Sequence, residues 1–241
     1  MLIVFASEHD ENAKWLVRRW ESRGAALMVP PDLSRAGWRC TSRDAGHSQC
    51  VLGGSSYSAS AIEGVLLRWP AVLPAELPHI AESDRNYVAA EMNAFLVYWF
   101  TAIGRRVVNR PTPRSLCGPG WYPEHWTHHA ARVGLRVAPV RHTVKPGVAE
   151  PLSWPEYDGP AVKVTVAGPG VYGSASRALA AKARALAEAA GTSLVQFRFD
   201  GAGAGARFLD ADLCPRLDDE RVERAVADYL ETGDWPAGDA A

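Results

Sequence analysis

The chain has almost no charge of one sign to spare: 26 Lys and Arg stand against 27 Asp and Glu, for a formal net charge of −1. Nucleic-acid binders carry a basic patch or stripe, and membrane-surface proteins carry a polybasic segment. Neither is present, so nucleic acid and membrane are not expected partners. No apolar run approaches the ~20 residues of a transmembrane helix; the most apolar helical stretch, around Ala94–Ile103, reads as a buried core helix. The opening MLIVFASEHDEN lacks a basic n-region and turns polar after Ala6, so it reads as a first core strand rather than a signal peptide. Four cysteines, Cys40, Cys50, Cys117 and Cys214, form no C-x-x-C pair. That excludes a zinc ribbon and leaves reduced thiols in a cytoplasmic protein as the expectation. There is no internal repeat and no low-complexity tract.

At 241 residues the chain can form one large domain or two small ones, with a sizeable core. Leu2–Ala6 is a β-rich run. Ala13, Leu16, Val17 and Trp20 then recur at helical spacing over Glu11–Arg23, stopped by Gly24, and Ala26–Val29 is a second strand. This β-α-β start opens a mostly parallel sheet. Arg39–Gly64 predicts a small antiparallel excursion. GVLLRW (Gly64–Trp69) is a buried strand ending in Arg68, and a helix follows from about Asn86 to Ile103. Val107–Asn109, a helix over Pro123–Val133 and a strand over Arg136–Val140 complete residues 1–142. Residues 143–160 are proline-rich and read as a linker. Residues 161–232 predict a strand (Val162–Ala167), a GPGVYG turn, a helix (Ser174–Ala190), two strands and a last helix; 233–241 reads as a frayed tail. The fold class is α/β, an N-terminal open mixed sheet with helices followed by a compact α+β domain.

FRFDGAGAGARFLDADLCPRL (Phe197–Leu217) predicts two strands joined by a glycine-rich turn, with Asp200 ending the first and Asp210 and Asp212 ending the second. Like charges this close repel. A divalent cation between them would relieve that, and Mg²⁺ at phosphate sites is held by one or two carboxylates. The bland alternative is solvated strand-end aspartates with Arg198 or Arg207 across the ladder. The register decides, because a one-residue slip moves every side chain to the other face. GPGVYGSAS (Gly168–Ser176) matches no phosphate loop and reads as a hairpin turn with a serine N-cap. His125, His128 and His129 share one predicted helix, without the carboxylate pattern of a metal site. Ser115 and Cys117 have no nucleophile-elbow context. Arg68, Arg85, Asn109, Arg110 and Arg114 fall at strand ends and loops, where open α/β sheets bind ligands; the alternative is a solvated arginine rim.

The order of these pieces resembles the ATP-grasp superfamily, in the ribosomal-peptide-ligase-like branch that includes the graspetide macrocyclases. The resemblance runs through GVLLRWP, DRNYVAAEMNAFLVYWF, VVNRPTPRS, AARVGLRVAPVRHT, VKVTVAGPGVYG and the closing hairpin, collinear over about Gly64–Leu217. It implies a pre-ATP-grasp-like N-terminal half and an ATP-grasp-like C-terminal half. It implies ATP and Mg²⁺ as cofactors: Lys145 and Lys163 would meet phosphates, and Asp200, Asp210 and Asp212 would hold the metal. Arg68, Asn109 and Arg114 would bind the substrate, a peptide or small molecule.

The departures are large. Only VKPGVAEPLSWPEYDGP stands where the family has a lid subdomain, and Lys145-Pro146 alone echoes its lysine motif. Lys163 replaces an arginine, Asp210 a glutamate and Asp212 an asparagine. Phosphoryl transfer needs positioning and a water-excluding lid. The leading expectation is therefore a truncated, degenerate pseudoenzyme with no cofactor. It would act as an accessory or substrate-recognition partner in peptide or natural-product modification, with a partner protein or as a homodimer. Two alternatives stand beside it. One is an active ATP- and Mg²⁺-dependent carboxylate–amine or ester-forming ligase working through an acyl phosphate; the other is a small-molecule binding module without catalysis.

Overall fold

The structure, a computed structural model, describes residues 1–41, 47–103, 106–138 and 157–237. The chain divides into two units, one of 1–120 with 216–235 and one of 121–215 with the C-terminal tail. The expected boundary near residue 142 thus falls at Gly120, and the last helix, expected with the C-terminal half, belongs to the first unit.

The first unit begins with β1 (Leu2–Phe5), α1 (Glu11–Arg19) and β2 (Ala26–Met28), followed by a hairpin of β3 (Gln49–Leu52) and β4 (Ser55–Ser58). The hairpin is the antiparallel excursion expected from the sequence. Then come β5 (Gly64–Leu67), α2 (Arg85–Ile103) and β6 (Val107–Val108). The main sheet runs β2-β1-β5-β6, parallel throughout. All four side chains of β1 are fully buried, as the central strand of a parallel sheet covered on both faces must be. Asp10 starts α1 by accepting from the Ala13 amide at 2.9 Å.

The second unit holds α3 (Pro123–Arg132), β7 (Arg136–Val137), β8 (Val162–Ala167), β9 (Gly170–Gly173), α4 (Arg177–Ala190), β10 (Leu194–Phe199) and β11 (Arg207–Asp212). Its sheet order is β7-β11-β10-β8-β9, antiparallel except for β11 with β7. GVYG, expected within a turn, is the edge strand β9. The turn shrinks to its Gly168-Pro169 start, and Ser176 caps α4 by accepting from the Leu179 amide. Val164, Val166, Val195, Phe197, Phe199 and Phe208 form the core with Trp126, Leu179, Ala183 and Leu186 from α3 and α4.

The chain then re-enters the first unit as α5 (Glu220–Thr232), which packs on β5 and β6. Gly64 permits this approach, since a Cβ there would run into the Leu230 backbone. A polar belt ties α5 to the α1 region. The buried Trp20 indole donates to the buried Glu223 carboxylate, Arg23 pairs with Asp228 at 3.1 Å and Glu231 at 2.7 Å, and the Leu217 amide donates to Asn12 Oδ1.

No helix among the described residues is long and apolar enough to cross a membrane.

Candidate functional site

Among the described residues α3 and α4 pack on one face of the second sheet, and β10 alternates accordingly. Register fixes what the other face carries. Lys163 of β8, Arg198 of β10 and Asp210 of β11 lie in one cross-strand row. The next row runs Tyr172, Thr165, Gln196, Asp212 over β9, β8, β10 and β11. Directly opposed side chains share a face, so seven polar residues form one surface. Within it Gln196 Nε2 donates to Thr165 Oγ1 at 3.0 Å. The alternation in LVQFRF, apolar at Val195, Phe197 and Phe199 and polar at Gln196 and Arg198, was the signal that could have placed these last two in the site.

A bulge resolves the position of the hairpin aspartates. Phe199 pairs with Phe208 while Arg198 pairs with Asp210, so Leu209 is the extra residue. Asp210 and Asp212 reach the polar face together. Asp210 makes an ion pair with Arg198, Nη1 to Oδ2 3.1 Å, with the carboxylate side chain 15% exposed. Burial raises its pKa above the ordinary carboxylate value; Arg198 pulls it back and Asp212 pushes it further up. Asp212 Oδ1 accepts from the Cys214 amide at 2.8 Å. Asp200 stays at the loop, accepting from the Arg207 amide at 2.6 Å with the Arg207 guanidinium 3.3 Å away.

The three aspartates are therefore each engaged by the hairpin itself. Among the described residues no group of three or more His, Cys, Asp or Glu is placed to hold a metal ion. That includes the histidines of α3: His125 Nδ1 accepts from the Tyr122 amide at the helix start, and His129 stacks on Trp121 at 4.3 Å. Lys163 lies on the polar face, exposed, one strand from Arg198. Lys145 lies outside the described residues, as does most of the expected linker.

In the first unit the residues expected to bind substrate gather at the carboxyl ends of the parallel strands. Arg68 follows β5, but it is buried, and its Nε donates to Asp10 Oδ2 at 2.9 Å. It thereby holds the N-cap of α1. Asn109 follows β6, is buried, and has φ +57°, the one non-glycine residue with positive φ among those described. Asparagine tolerates that region better than most residues. Arg114 is exposed in the next loop, which returns to β5 where the Leu116 amide donates to the Pro70 carbonyl at 2.7 Å. Arg68 and Asn109 thus follow neighbouring strands at the carboxyl end of the sheet.

No family model matches the sequence, and no curated protein matches it. Solved structures do. The macrocyclase MdnC bound with precursor peptide MdnA from Microcystis aeruginosa superposes with a TM-score of 0.73 at 10% identity, over 97% of this chain and 100% of that one. A Chryseobacterium gregarium RiPP-associated ATP-grasp ligase in complex with ADP, leader and core peptide gives 0.65 at 8% identity, over 97% of both. The ATP-grasp ligase PsnB complexed with minimal precursor, Mg and ADP gives 0.63 at 14% identity, over 95% of this chain and 98% of that one. The chain has the ATP-grasp fold in the form seen in these peptide ligases.

Proposed function

We propose that this protein is a non-catalytic relative of the ATP-grasp peptide ligases. It serves in the cytoplasm as an accessory or substrate-recognition partner in peptide or natural-product modification. The peptide part of this reading draws on the fold and on its neighbours, MdnC and the Chryseobacterium ligase, which were solved with precursor or leader and core peptides. The non-catalytic part is supported by one observation, the Arg198–Asp210 ion pair. A cation that bridged Asp210 and Asp212 to phosphate oxygens would sit beside the Arg198 guanidinium, and like charges at that range disfavour each other. Each candidate carboxylate already has a partner within the hairpin, which weighs against a Mg²⁺–ATP site there.

A second reading, an ATP- and Mg²⁺-dependent ligase acting through an acyl phosphate, draws on PsnB, which was solved with Mg and ADP. There Lys145 and Lys163 would meet phosphates and Arg68, Asn109 and Arg114 the substrate. Calorimetry of the full chain separates the two. The first reading expects no binding of ATP–Mg²⁺ up to millimolar nucleotide, with or without peptide. Saturable binding that disappears in Asp210→Asn would overturn it in favour of the ligase.

A further inference from the structure

The sheet of the first unit has an unassigned cavity at its own switch point. The chain runs from β1 outward to β2 and then crosses to β5 on the other side of β1, so the loops after β1 and β5 diverge. Open parallel sheets bind ligands at such a divergence, beyond the carboxyl ends of the strands. Here the space between those loops measures about 690 Å³, within the ~300–1,000 Å³ of small-molecule sites.

The walls have a definite chemistry. Pro30, Pro31 and Pro78 supply rigid apolar surface, and Trp69 supplies an aromatic ring. Among the described residues, Glu8 and Glu76 are the carboxyl residues lining the cavity, the imidazoles of His9 and His79 line it too, and no lysine or arginine does. Glu76 is fixed through one oxygen only: Oε2 accepts from the Trp69 indole at 2.7 Å and from the Leu73 amide at 3.1 Å. This locks both the carboxylate and the ring. Glu8 is largely exposed, with the His9 imidazole 3.5 Å away. The wall itself is pinned from beneath. Asn93 of α2 accepts from the Val72 amide at 2.9 Å and donates to the Val72 carbonyl at 3.0 Å.

We infer that this cavity is a binding site for an aliphatic ammonium or guanidinium group, its stem lying on the prolines, its charge between Trp69 and the two glutamates. A cation over an indole face gains roughly 0.5–2 kcal/mol, and two carboxylates with no lysine or arginine among the described lining residues select the same sign. A neutral isostere of the stem would gain only the apolar contact. The inference rests on the first unit alone and stands whichever reading of the second sheet holds.

The test uses the full-length protein with N-acetyl-arginine methylamide, N-acetyl-lysine methylamide, agmatine and N-acetyl-norleucine methylamide as probes. It follows the Trp69 indole N–H resonance, assigned through Trp69→Phe. The expected result is a saturable shift with the cationic probes, weakened several-fold in Glu76→Gln and in Glu8→Gln, and none with norleucine. Glutamine still accepts at position 76, and position 8 is a surface site, so at least one variant keeps its fold. Arginine or lysine amides binding more tightly than agmatine would assign the site to peptide side chains; the reverse order would assign it to a free amine. Absence of a saturable shift with every cationic probe at tens of millimolar, or equal binding of norleucine, would overturn the inference. So would affinities unchanged in Glu8→Gln and any folded Glu76→Gln.

Discussion

β1 of the first unit reads Leu-Ile-Val-Phe and buries every side chain. β10 of the second reads Leu-Val-Gln-Phe-Arg-Phe, and beyond its first residue buries one position and half-exposes the next. The first sheet is parallel and covered on both faces, so ligand chemistry is confined to the ends of its strands, where Arg68, Trp69 and Asn109 lie. The second is mostly antiparallel and, among the described residues, packs α3 and α4 on one face, so its strands themselves carry polar chemistry at Lys163, Gln196, Arg198, Asp210 and Asp212. Topology thus decides whether a strand residue can be both in the sheet and in a site.

The division of faces in the second unit predicts the largest effect. Phe197 is fully buried against Trp126, Phe199 and Phe208, and Phe197→Ala is expected to cost about 3–5 kcal/mol. Its neighbour Gln196 points the other way and makes one hydrogen bond to Thr165. Gln196→Ala is expected to cost about 1 kcal/mol. Urea denaturation of both variants checks this. Equal losses would break the two-faced description of the sheet.

In the first unit the comparable test is a strand position with no free face. Gly64→Ala pushes a methyl into the Leu230 backbone of α5, and overpacking of this kind costs about 1–3 kcal/mol. Gly203, in the loop between β10 and β11, has nothing within 4 Å of an added Cβ, so Gly203→Ala is expected within about 0.5 kcal/mol of wild type. A neutral Gly64→Ala would show that α5 yields rather than locks onto β5.

These contrasts also mark what could be read from residues alone. The β-α-β opening, the buried GVLLRW strand and the hairpin at Phe197–Leu217 follow from local periodicity and turn chemistry, which the sequence displays directly. The return of α5 to the first unit does not, because it depends on Gly64 opposite Leu230 and Trp20 opposite Glu223, contacts between distant segments. Nor does the pairing of Arg198 with Asp210, because a single bulge at Leu209 sets which side chains face each other. Arg68 was legible as a strand-end arginine; that it is buried on Asp10 required the position of α1. The polar rows beside Asp210 were written in the alternation of β10, yet Gln196 and Arg198 gain their meaning only from register.

The smallest effect bears on the pair that carries the functional reading. Burial, with a push from Asp212, holds the Asp210 carboxyl above its ordinary pKa, and Arg198 is the one influence drawing it down. A carboxyl raised in the folded state binds its proton more tightly there than in the unfolded chain. Its contribution is therefore most favourable below the unfolded pKa and declines as pH rises through the folded one. Arg198→Met removes the opposing charge, so the folded pKa climbs further and the decline deepens. The Arg198 side chain is 40% exposed, which screens the pair, so the expected loss at neutral pH is only about 0.5–1 kcal/mol. It should shrink on acidification through the Asp210 range and vanish in Arg198→Met/Asp210→Asn, which has no carboxyl left to titrate at that position. Urea denaturation of the wild type, both single variants and the double, compared from about pH 4 to 8, reads this directly. A pH-independent Arg198→Met would show that the guanidinium does not neutralise Asp210 in solution. The acidic pair on β11 would then be open to a divalent cation, and the polar face of the second sheet would return to the ligase reading.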